Sequence, residues 1–387
     1  MSPRNDIAIY SPFAAYFYED AQAARAVRRG GGGGAELQAT LLARHLARSG
    51  LNVAHIVYPL ERPAPRSLAS LDVIQRLPRV SSRRRSRIGR AVGKLADANR
   101  IWRALNAADA QLYVLRTGLS GGTVTGALFC LCHRRRLVFA ASNDLDFTFG
   151  RDGRPRLTEA VYRFALKRAR RVVVQSRRQL QLAAAVVEPD RVNLIPSFAE
   201  LADASNGAAD HREFLWAGRL VEYKLPLRYL ELARSMPEAP FRMIAAETGE
   251  TSGALAAQVT EAAAKLPNLQ LEPRQGRERV LELIARSTAV VVTSRHEGMP
   301  NLFLEAWARG IPVLSLHFDP DGRIASERIG IYAAGSWPRF VSGAKKLWRD
   351  RSLRREIGER GRAYVRRVHS PGAVAARWEE TLRETLE

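Results

Sequence analysis

The segment Ala289-Val290-Val291-Val292-Thr293-Ser294-Arg295-His296-Glu297-Gly298-Met299-Pro300-Asn301-Leu302-Phe303-Leu304-Glu305 governs the reading of the whole chain. The apolar, β-branched run from Ala289 to Thr293 reads as a parallel strand covered on both faces. A Gly-Met-Pro-Asn turn follows, and Pro300 suits the first helical position, where a missing N–H costs nothing. Backbone N–H groups from Met299 to Leu302 then gather at a helix entrance, which favours an anion. Glu297 precedes that helix and Glu305 lies inside it, with seven residues between them. Both carboxylates can therefore face a ligand held over the turn. Amide donors beside carboxylates suit a nucleotide sugar, which offers a diphosphate and hydroxyl groups together. Ala306-Trp307-Ala308-Arg309-Gly310-Ile311-Pro312-Val313 then supplies the end of the helix, a glycine stop and the next strand.

The same alternation runs outward in both directions. Asp6–Tyr10, Val53–Tyr58, Gln111–Leu115, Leu137–Ala140, Val172–Val174 and Val192–Ile195 read as strands of a first domain. A helix over Ala35–Ser49, with Leu37, Leu41, Leu42 and Leu46 on one face, ends at Gly50. Thr117–Cys132 reads as a buried helix between strands. Ala202–Ala209 is small and polar, a linker. Strands then recur at Phe214–Ala217, Phe241–Ile244, Leu269–Leu271, Ala289–Thr293 and Pro312–Ser315, with helices near Leu225–Ser235, Gly253–Leu266, Arg279–Ser287 and Pro300–Arg309. Short connections between strands and helices imply parallel sheets covered on both faces. The expected fold is α/β, two Rossmann-like domains facing across a cleft, with residues 1–203 as the first and 210–370 as the second.

At 387 residues the chain is long enough for two cores, and a 46% hydrophobic share with 26% charged residues excludes a disordered chain. Cys130 and Cys132 are too close to bridge each other, so a reducing, cytoplasmic setting is expected. No secretory pattern opens the chain, and no stretch is long and apolar enough to span a bilayer. The net charge of +22 asks for an explanation. Residues 76–103 alternate Arg83-Arg84-Arg85, Arg87, Arg90, Lys94, Arg100 and Arg103 with Ile88, Val92, Leu95, Ile101 and Trp102, a basic amphipathic helix. Such a helix lies on an anionic membrane surface or is a solvated face, and the two readings stand level. Specific nucleic-acid binding comes last, since aromatic residues are scarce there and no recognition motif is present.

Two further stretches carry chemistry. Gly30–Gly34 precedes the helix Ala35–Ser49, where bare backbone approaches a ligand closely and the helix start favours negative charge. A polyglycine run is equally a flexible loop. Ala217-Gly218-Arg219-Leu220-Val221-Glu222-Tyr223-Lys224 leaves a strand at the head of the second domain. There Arg219 and Lys224 are suited to clamp a diphosphate.

With these residues in order, the chain resembles the retaining glycosyltransferases of the GT-B fold, glycosyltransferase family 4. The resemblance rests on Gly33-Gly34-Ala35-Glu36, on Gly218-Arg219-Leu220 with Lys224, and on Glu297-Gly298-Met299-Pro300-Asn301 through Glu305-Ala306 to Gly310-Ile311-Pro312-Val313. Order and spacing agree over nearly the full length. Closing residues Trp348-Arg349-Asp350, Arg360-Gly361-Arg362 and Trp378 are similar to the family's helical tail, which implies that a helix at about 371–387 packs back on the first domain. The resemblance implies an acceptor-binding first domain and a donor-binding second one. It implies that Arg219 and Lys224 hold the donor diphosphate and that Glu297 contacts sugar hydroxyls. It further implies that Glu305 accepts hydrogen bonds from the ribose, while Gly33, Gly34, Gly218, Gly298, Met299, Pro300, Asn301 and Leu302 line the donor. Ordinary alternatives remain: Glu305 as a helix-surface residue, Glu297 as a partner of the helix dipole.

The chain departs from that pattern in places. Leu225 follows Lys224 where the family usually has glycine, and residues 16–30 form a longer insert before the glycine loop. The family's acceptor-domain histidine has no counterpart, leaving Asp144 in Ser142-Asn143-Asp144 as the acceptor-side candidate. Asp144-Leu145-Asp146 and Asp319-Pro320-Asp321 spell the metal-binding D-x-D of the other glycosyltransferase fold, but two-domain alternation argues against that fold. No obligatory metal is expected; the seven histidines show no ligand spacing, although His296 stands beside Glu297. The expected activity is hexosyl transfer from a UDP- or GDP-sugar to a saccharide or lipid-linked acceptor in cell-surface polysaccharide or glycolipid synthesis, with attachment to the inner face of the membrane. Alternatives are a nucleotide-sugar epimerase or phosphorylase on the same fold, for which no cofactor lysine or extra acid–base set is visible, and a basic protein that binds lipid or nucleic acid without catalysis.

Overall fold

A computed structural model describes residues 4–19, 33–60, 68–77, 87–118, 120–150, 156–202 and 213–387. The chain divides into two compact units, Met1–Phe198 with Val374–Glu387 and Ala199–Ala373. In the first unit the order is β1 (Asn5–Tyr10), α1 (Gly34–Arg48), β2 (Val53–Ile56), β3 (Leu71–Ile74), α2 (Arg87–Ala108), β4 (Ala110–Leu115), α3 (Gly121–Cys132), β5 (Arg136–Ala140), α4 (Arg156–Arg168), β6 (Arg171–Val174), α5 (Arg177–Ala184) and β7 (Val192–Leu194). The second unit holds β8 (Glu213–Arg219), α6 (Pro226–Arg234), β9 (Phe241–Ala246), α7 (Gly253–Ala264), β10 (Leu269–Pro273), α8 (Arg277–Ala285), β11 (Ser287–Val292), α9 (Asn301–Ala308), β12 (Val313–Ser315), α10 (Arg323–Ser326), β13 (Gly330–Tyr332), α11 (Trp337–Arg349) and α12 (Arg351–Val368). A last helix, α13 (Pro371–Leu386), closes the chain.

Each unit is built on one parallel sheet. The strand order is β3-β2-β1-β4-β5-β6-β7 in the first and β10-β9-β8-β11-β12-β13 in the second. Central strands read as unbroken apolar runs because both faces are covered: Ile7, Ala8, Ile9, Val290 and Val291 are fully buried. On one face of the first sheet, α2, α3 and α4 pack over Tyr113, Phe139 and Val172. On the other, Leu42 and Leu46 of α1 share a cluster with Ile7, Ile9 and the α13 residues Val374, Trp378 and Leu382. Burying each such side chain contributes roughly 1.5–3 kcal/mol, so α13 is held by its apolar face.

Several expectations are corrected by this architecture. Two edge strands, β3 and β13, escape sequence reading because Asp72 interrupts the one and Gly330 opens the other, leaving no apolar run. The helix expected over Thr117–Cys132 begins at Gly121, where the Ser120 hydroxyl caps it by accepting from the Thr123 N–H. It is buried on one side only, since Phe129 and Cys130 face the sheet while Leu128 and Leu131 are exposed. The thiols of Cys130 and Cys132 are both free. Gly30–Gly32, Arg83-Arg84-Arg85, residues 20–30 of the insert and all of the linker except Ala202 lie outside the described residues. Among the described residues no helix is long and apolar enough to cross a membrane.

Candidate active site

In the second sheet, β9 lies on one side of β8 and β11 on the other. Loops leaving β8 and β11 therefore diverge at the point where strand order reverses, the place where open α/β sheets bind ligands. The two loops are tied together by backbone contacts: Arg295 N–H donates to the Tyr223 carbonyl at 2.9 Å. The Thr293 hydroxyl donates to the Lys224 carbonyl at 2.6 Å and accepts from the Trp216 indole at 3.1 Å. These bonds fix Lys224 against the start of the Arg295–Pro300 loop. Its ammonium group forms an ion pair with the Glu297 carboxylate, both side chains being less than one-fifth exposed.

Leu225, the departure from glycine, adopts φ 49° and ψ 54°. That left-handed geometry is the one glycine accepts freely and a leucine adopts at a cost of roughly 1–2 kcal/mol. The turn is thus of the kind that a glycine would make, and Pro226 opens α6 immediately after it. Arg219 ends β8 and pairs with Glu250 at 2.8 Å while also donating to the Tyr223 hydroxyl. At Gly218 an added Cβ would lie 3.4 Å from the Trp216 ring, ordinary contact, so protein packing does not itself demand glycine there.

At α9, Pro300 is the residue before the helix, not its first residue. Its ψ of 120° is extended, and the helix begins at Asn301. The Pro300 carbonyl accepts from Phe303 N–H at 3.0 Å. The Met299 and Leu302 side chains are half-buried against the core beneath. One turn into α9, Glu305 is gripped by Arg277, which also pairs with Glu200. Burial pushes the Glu305 carboxyl above its usual range, opposed by Arg277 and Arg309. Burial alone would lower Arg277, but Glu305 and Glu200 beside it hold the guanidinium above its ordinary value. Arg277, Glu200, Glu250 and Tyr223 escaped sequence reading. Arg277 opens a helix after β10, yet a single arginine in a chain with 61 lysines and arginines carries no signal.

In the first unit Gly33 caps α1 with its backbone, and Glu36 stands in the first turn. A Cβ on Gly33 would approach the Glu36 carboxylate to 2.6 Å. Just after β4, the buried Arg116 donates through Nε to the Ala35 carbonyl at 3.1 Å. Burial lowers its pKa to about 10 against the pull of Glu36 and Asp146. Asp146 turns inward and accepts from the Ser142 N–H at 2.7 Å, the Ser142 hydroxyl at 3.1 Å and the Asn143 N–H at 3.2 Å. Asp144 pairs with Arg178 at 2.8 Å. Asp319 accepts from the Ile324 and Ala325 amides at 2.7 and 3.2 Å. Asp144, Asp146 and Asp319 are thus engaged in ion pairing and local structure. Among the described residues, no three His, Cys, Asp or Glu side chains are grouped to hold a metal.

Residues 33–197 match the family model of the glycosyl transferase 4-like domain, and residues 198–364 that of glycosyl transferases group 1. No curated protein matches the chain. Among solved structures, sucrose-phosphate synthase from Thermosynechococcus elongatus superposes with a TM-score of 0.78 at 17% identity, over 98% of this chain and 99% of that one. Anabaena Alr3699/HepE in complex with UDP-glucose gives 0.73 at 14% identity, over 98% and 100%. S. aureus TarM, in complex with fondaparinux, α-GlcNAc-glycerol and UDP, gives 0.60 at 14% identity, over 74% and 59%. At these identities the likeness establishes the shared GT-B fold.

Proposed function

Because the chain belongs to the group 1 glycosyl transferases of family 4, and is thereby a hexosyltransferase using a nucleotide sugar, we propose that it moves a hexosyl group with retention of configuration. The donor would be a UDP- or GDP-sugar and the acceptor a hydroxyl of a saccharide or lipid-linked saccharide. Residues 1–203 would serve the acceptor and 210–370 the donor. The observation that carries the reading is the Lys224–Glu297 pair on two tied loops where the strand order of the second sheet reverses. A cation for the diphosphate and a carboxylate for sugar hydroxyls meet there, as the chemistry requires.

In this reading the acceptor oxygen bonds to the anomeric carbon while the bond from that carbon to the diphosphate oxygen breaks. The electron pair leaves with the diphosphate, which takes the acceptor proton. Lys224, with three donors, keeps Glu297 and gains a phosphate oxygen; Arg219 turns from Glu250 toward the same charge. Their charge stabilisation and the held geometry supply catalysis, so Glu297 positions the sugar without becoming a nucleophile. Glu305 receives the ribose hydroxyls. The N–H groups of Gly298, Met299, Asn301 and Leu302, with the backbone at Gly218, would approach the phosphates and sugar, Gly33 and Gly34 would serve donor binding, and Asp144 would serve the acceptor. With such an acceptor the enzyme would act in cell-surface polysaccharide or glycolipid synthesis, and residues 76–103 would meet the inner face of the membrane.

A thermal-shift screen of nucleoside diphosphates and their sugars identifies the donor, and slow donor hydrolysis in EDTA then tests the chemistry. Lys224→Ala is expected to lower the hydrolysis rate by roughly a hundredfold or more, the scale for losing one preorganised charge contact. Hydrolysis unchanged in both Lys224→Ala and Glu305→Ala would remove the assignment.

A further inference from the structure

Arg219, the last residue of β8, stands opposite Ala246, the last of β9, so the loops after these strands leave side by side. The Leu220 N–H donates to the Ala246 carbonyl at 2.8 Å and carries the pairing one residue further. The loop after β9, residues 247–252, is folded on itself. Its Thr248 N–H donates to the Thr251 hydroxyl at 2.9 Å, and the Glu250 N–H donates to the Thr248 hydroxyl at 3.3 Å. The Thr251 N–H returns to the Thr248 carbonyl at 3.0 Å, and Ser252 caps α7 by accepting from the Leu255 N–H at 3.1 Å. A loop closed in this way delivers Glu250 to Arg219, with 2.8 Å between the carboxylate oxygen and Nη1.

The pair does little for the fold, since its side chains are 46% and 67% exposed and such pairs are weak. Its effect is to occupy a guanidinium. Nη1 of Arg219 is engaged by Glu250 and Nη2 by the Tyr223 hydroxyl, over whose ring the guanidinium lies at 5.9 Å. The hydroxyl is neutral and can stay when a phosphate arrives. A carboxylate cannot, because it would stand against a like charge. Lys224 differs, for its partner Glu297 is only 13% exposed. Of the two carboxylates on these cations, Glu250 is the one with solvent to move into.

We propose that Glu250 is an exchange partner for the diphosphate: it holds Arg219 beforehand, yields it to the phosphate, and reclaims it as the nucleoside diphosphate departs. The inference rests on Arg219 as a diphosphate ligand, the reading given under Proposed function. A diphosphate freed of its sugar gains a negative charge of about one at pH 7, as a phosphate monoester does. It therefore holds Arg219 more strongly than the donor does, and a release step needs a competitor of its own sign. Glu250 supplies one from a fixed loop, at no cost in buried charge.

Isothermal titration of the full-length protein with UDP, GDP, UDP-glucose and GDP-mannose tests this. Glu250→Gln keeps the side chain's size and removes its charge. It is expected to tighten the nucleoside diphosphate that wild type binds by about threefold to fivefold, the scale of one exposed ion pair, and the sugar ester by less. Arg219→Ala is expected to weaken both ligands, and Arg219→Ala/Glu250→Gln to bind no better than Arg219→Ala. Glu247→Gln removes the same charge from an exposed position of the same loop and is expected to bind as wild type does. Three results overturn the exchange role and leave the diphosphate reading intact: no gain in Glu250→Gln, an equal gain in Glu247→Gln, or a gain that persists without Arg219. Arg219→Ala binding both ligands as wild type does would remove the diphosphate reading itself, and the exchange role with it. So would a wild type that binds none of the four.

Discussion

Glu305 is a carboxylate under two opposing pressures, burial that favours its neutral form and a guanidinium that favours its charge. Arg277 supplies that guanidinium and shares it with Glu200. Replacing Arg277 with Gln leaves two carboxylates facing one another with less positive charge, so Glu305 takes up a proton more readily. Donor KM is then expected to rise about tenfold or more, the scale of a lost charge-assisted hydrogen bond, more at pH 6 than at pH 8, with kcat affected less. Arg277→Lys should restore part of the loss, and steady-state kinetics at the two pH values checks both. Glu297 and Glu305 stand out in the sequence through their fixed spacing around a prolyl turn, and Lys224 through its place in the segment that leaves the first strand of the second unit. Arg277 and Glu200 meet Glu305 only through folding, from positions with no spacing relation to it. His55 is a second buried titratable group, hydrogen-bonded through Nδ1 to the Tyr18 hydroxyl at 2.7 Å. Burial, with Arg44 nearby, lowers its pKa to about 3 from an ordinary 6.5. Between those values the unfolded chain binds one more proton than the native one, so stability falls as pH falls. The loss from this residue reaches about 3 kcal/mol by pH 4. Urea unfolding should show that loss in wild type and its absence in His55→Gln, which keeps a partner for Tyr18 but does not titrate.

At the scale of elements, the helix that carries Glu305 is placed by glycines. Gly310 ends α9 with φ +72°, and a Cβ there would lie 2.7 Å from the Arg362 guanidinium. A Cβ on Gly358 would lie 2.0 Å from the Gly310 carbonyl oxygen, and one on Gly361 would lie 3.0 Å from Trp307. Helix α12 therefore lies directly against the end of α9, while the buried Trp307 indole donates to the Ile329 carbonyl at 2.7 Å. Gly358→Ala must push backbone from backbone, and is expected to destabilise by about 3 kcal/mol, the upper range for overpacking. Because Glu305 shares the displaced helix, donor affinity should fall as well. Gly372→Ala, where a Cβ meets nothing within 4 Å, is the matched control and is expected to be neutral or slightly stabilising. Denaturant melts of the two variants make the comparison. Long buried strands such as β1 and β11 were legible from composition, because full coverage leaves an unbroken apolar run. The edge strands β3 and β13 were not, since Asp72 interrupts the one and Gly330 opens the other, so neither offers an unbroken apolar run. Helix–helix contact through Gly358 was likewise hidden, because a glycine within a charged helical sequence reads as a defect until its neighbour is known.

For the molecule as a whole, 61 basic residues stand against 39 acidic ones. Local pairing does not remove that excess. Arg242, held between Glu213 and Glu272, is among the few pairs shielded from solvent, whereas pairs such as Arg355–Glu359 and Lys265–Glu261 are exposed and contribute little. What remains is repulsion among exposed arginines in both units, which compact folding brings closer than an open chain would. Salt screens that repulsion over about 10 Å at 0.1 M, and it screens the exposed pairs too, but those are individually weak. The sign of the net effect follows: added NaCl should stabilise. Raising it from low to physiological concentration at pH 7 is expected to add about 1 kcal/mol, seen as a rise in Tm of roughly 2–4 °C for units of this size. Scanning calorimetry in NaCl, against a neutral osmolyte at equal osmolarity, isolates the ionic part. A fall in Tm would mean that the ion pairs outweigh the repulsion among the excess cations.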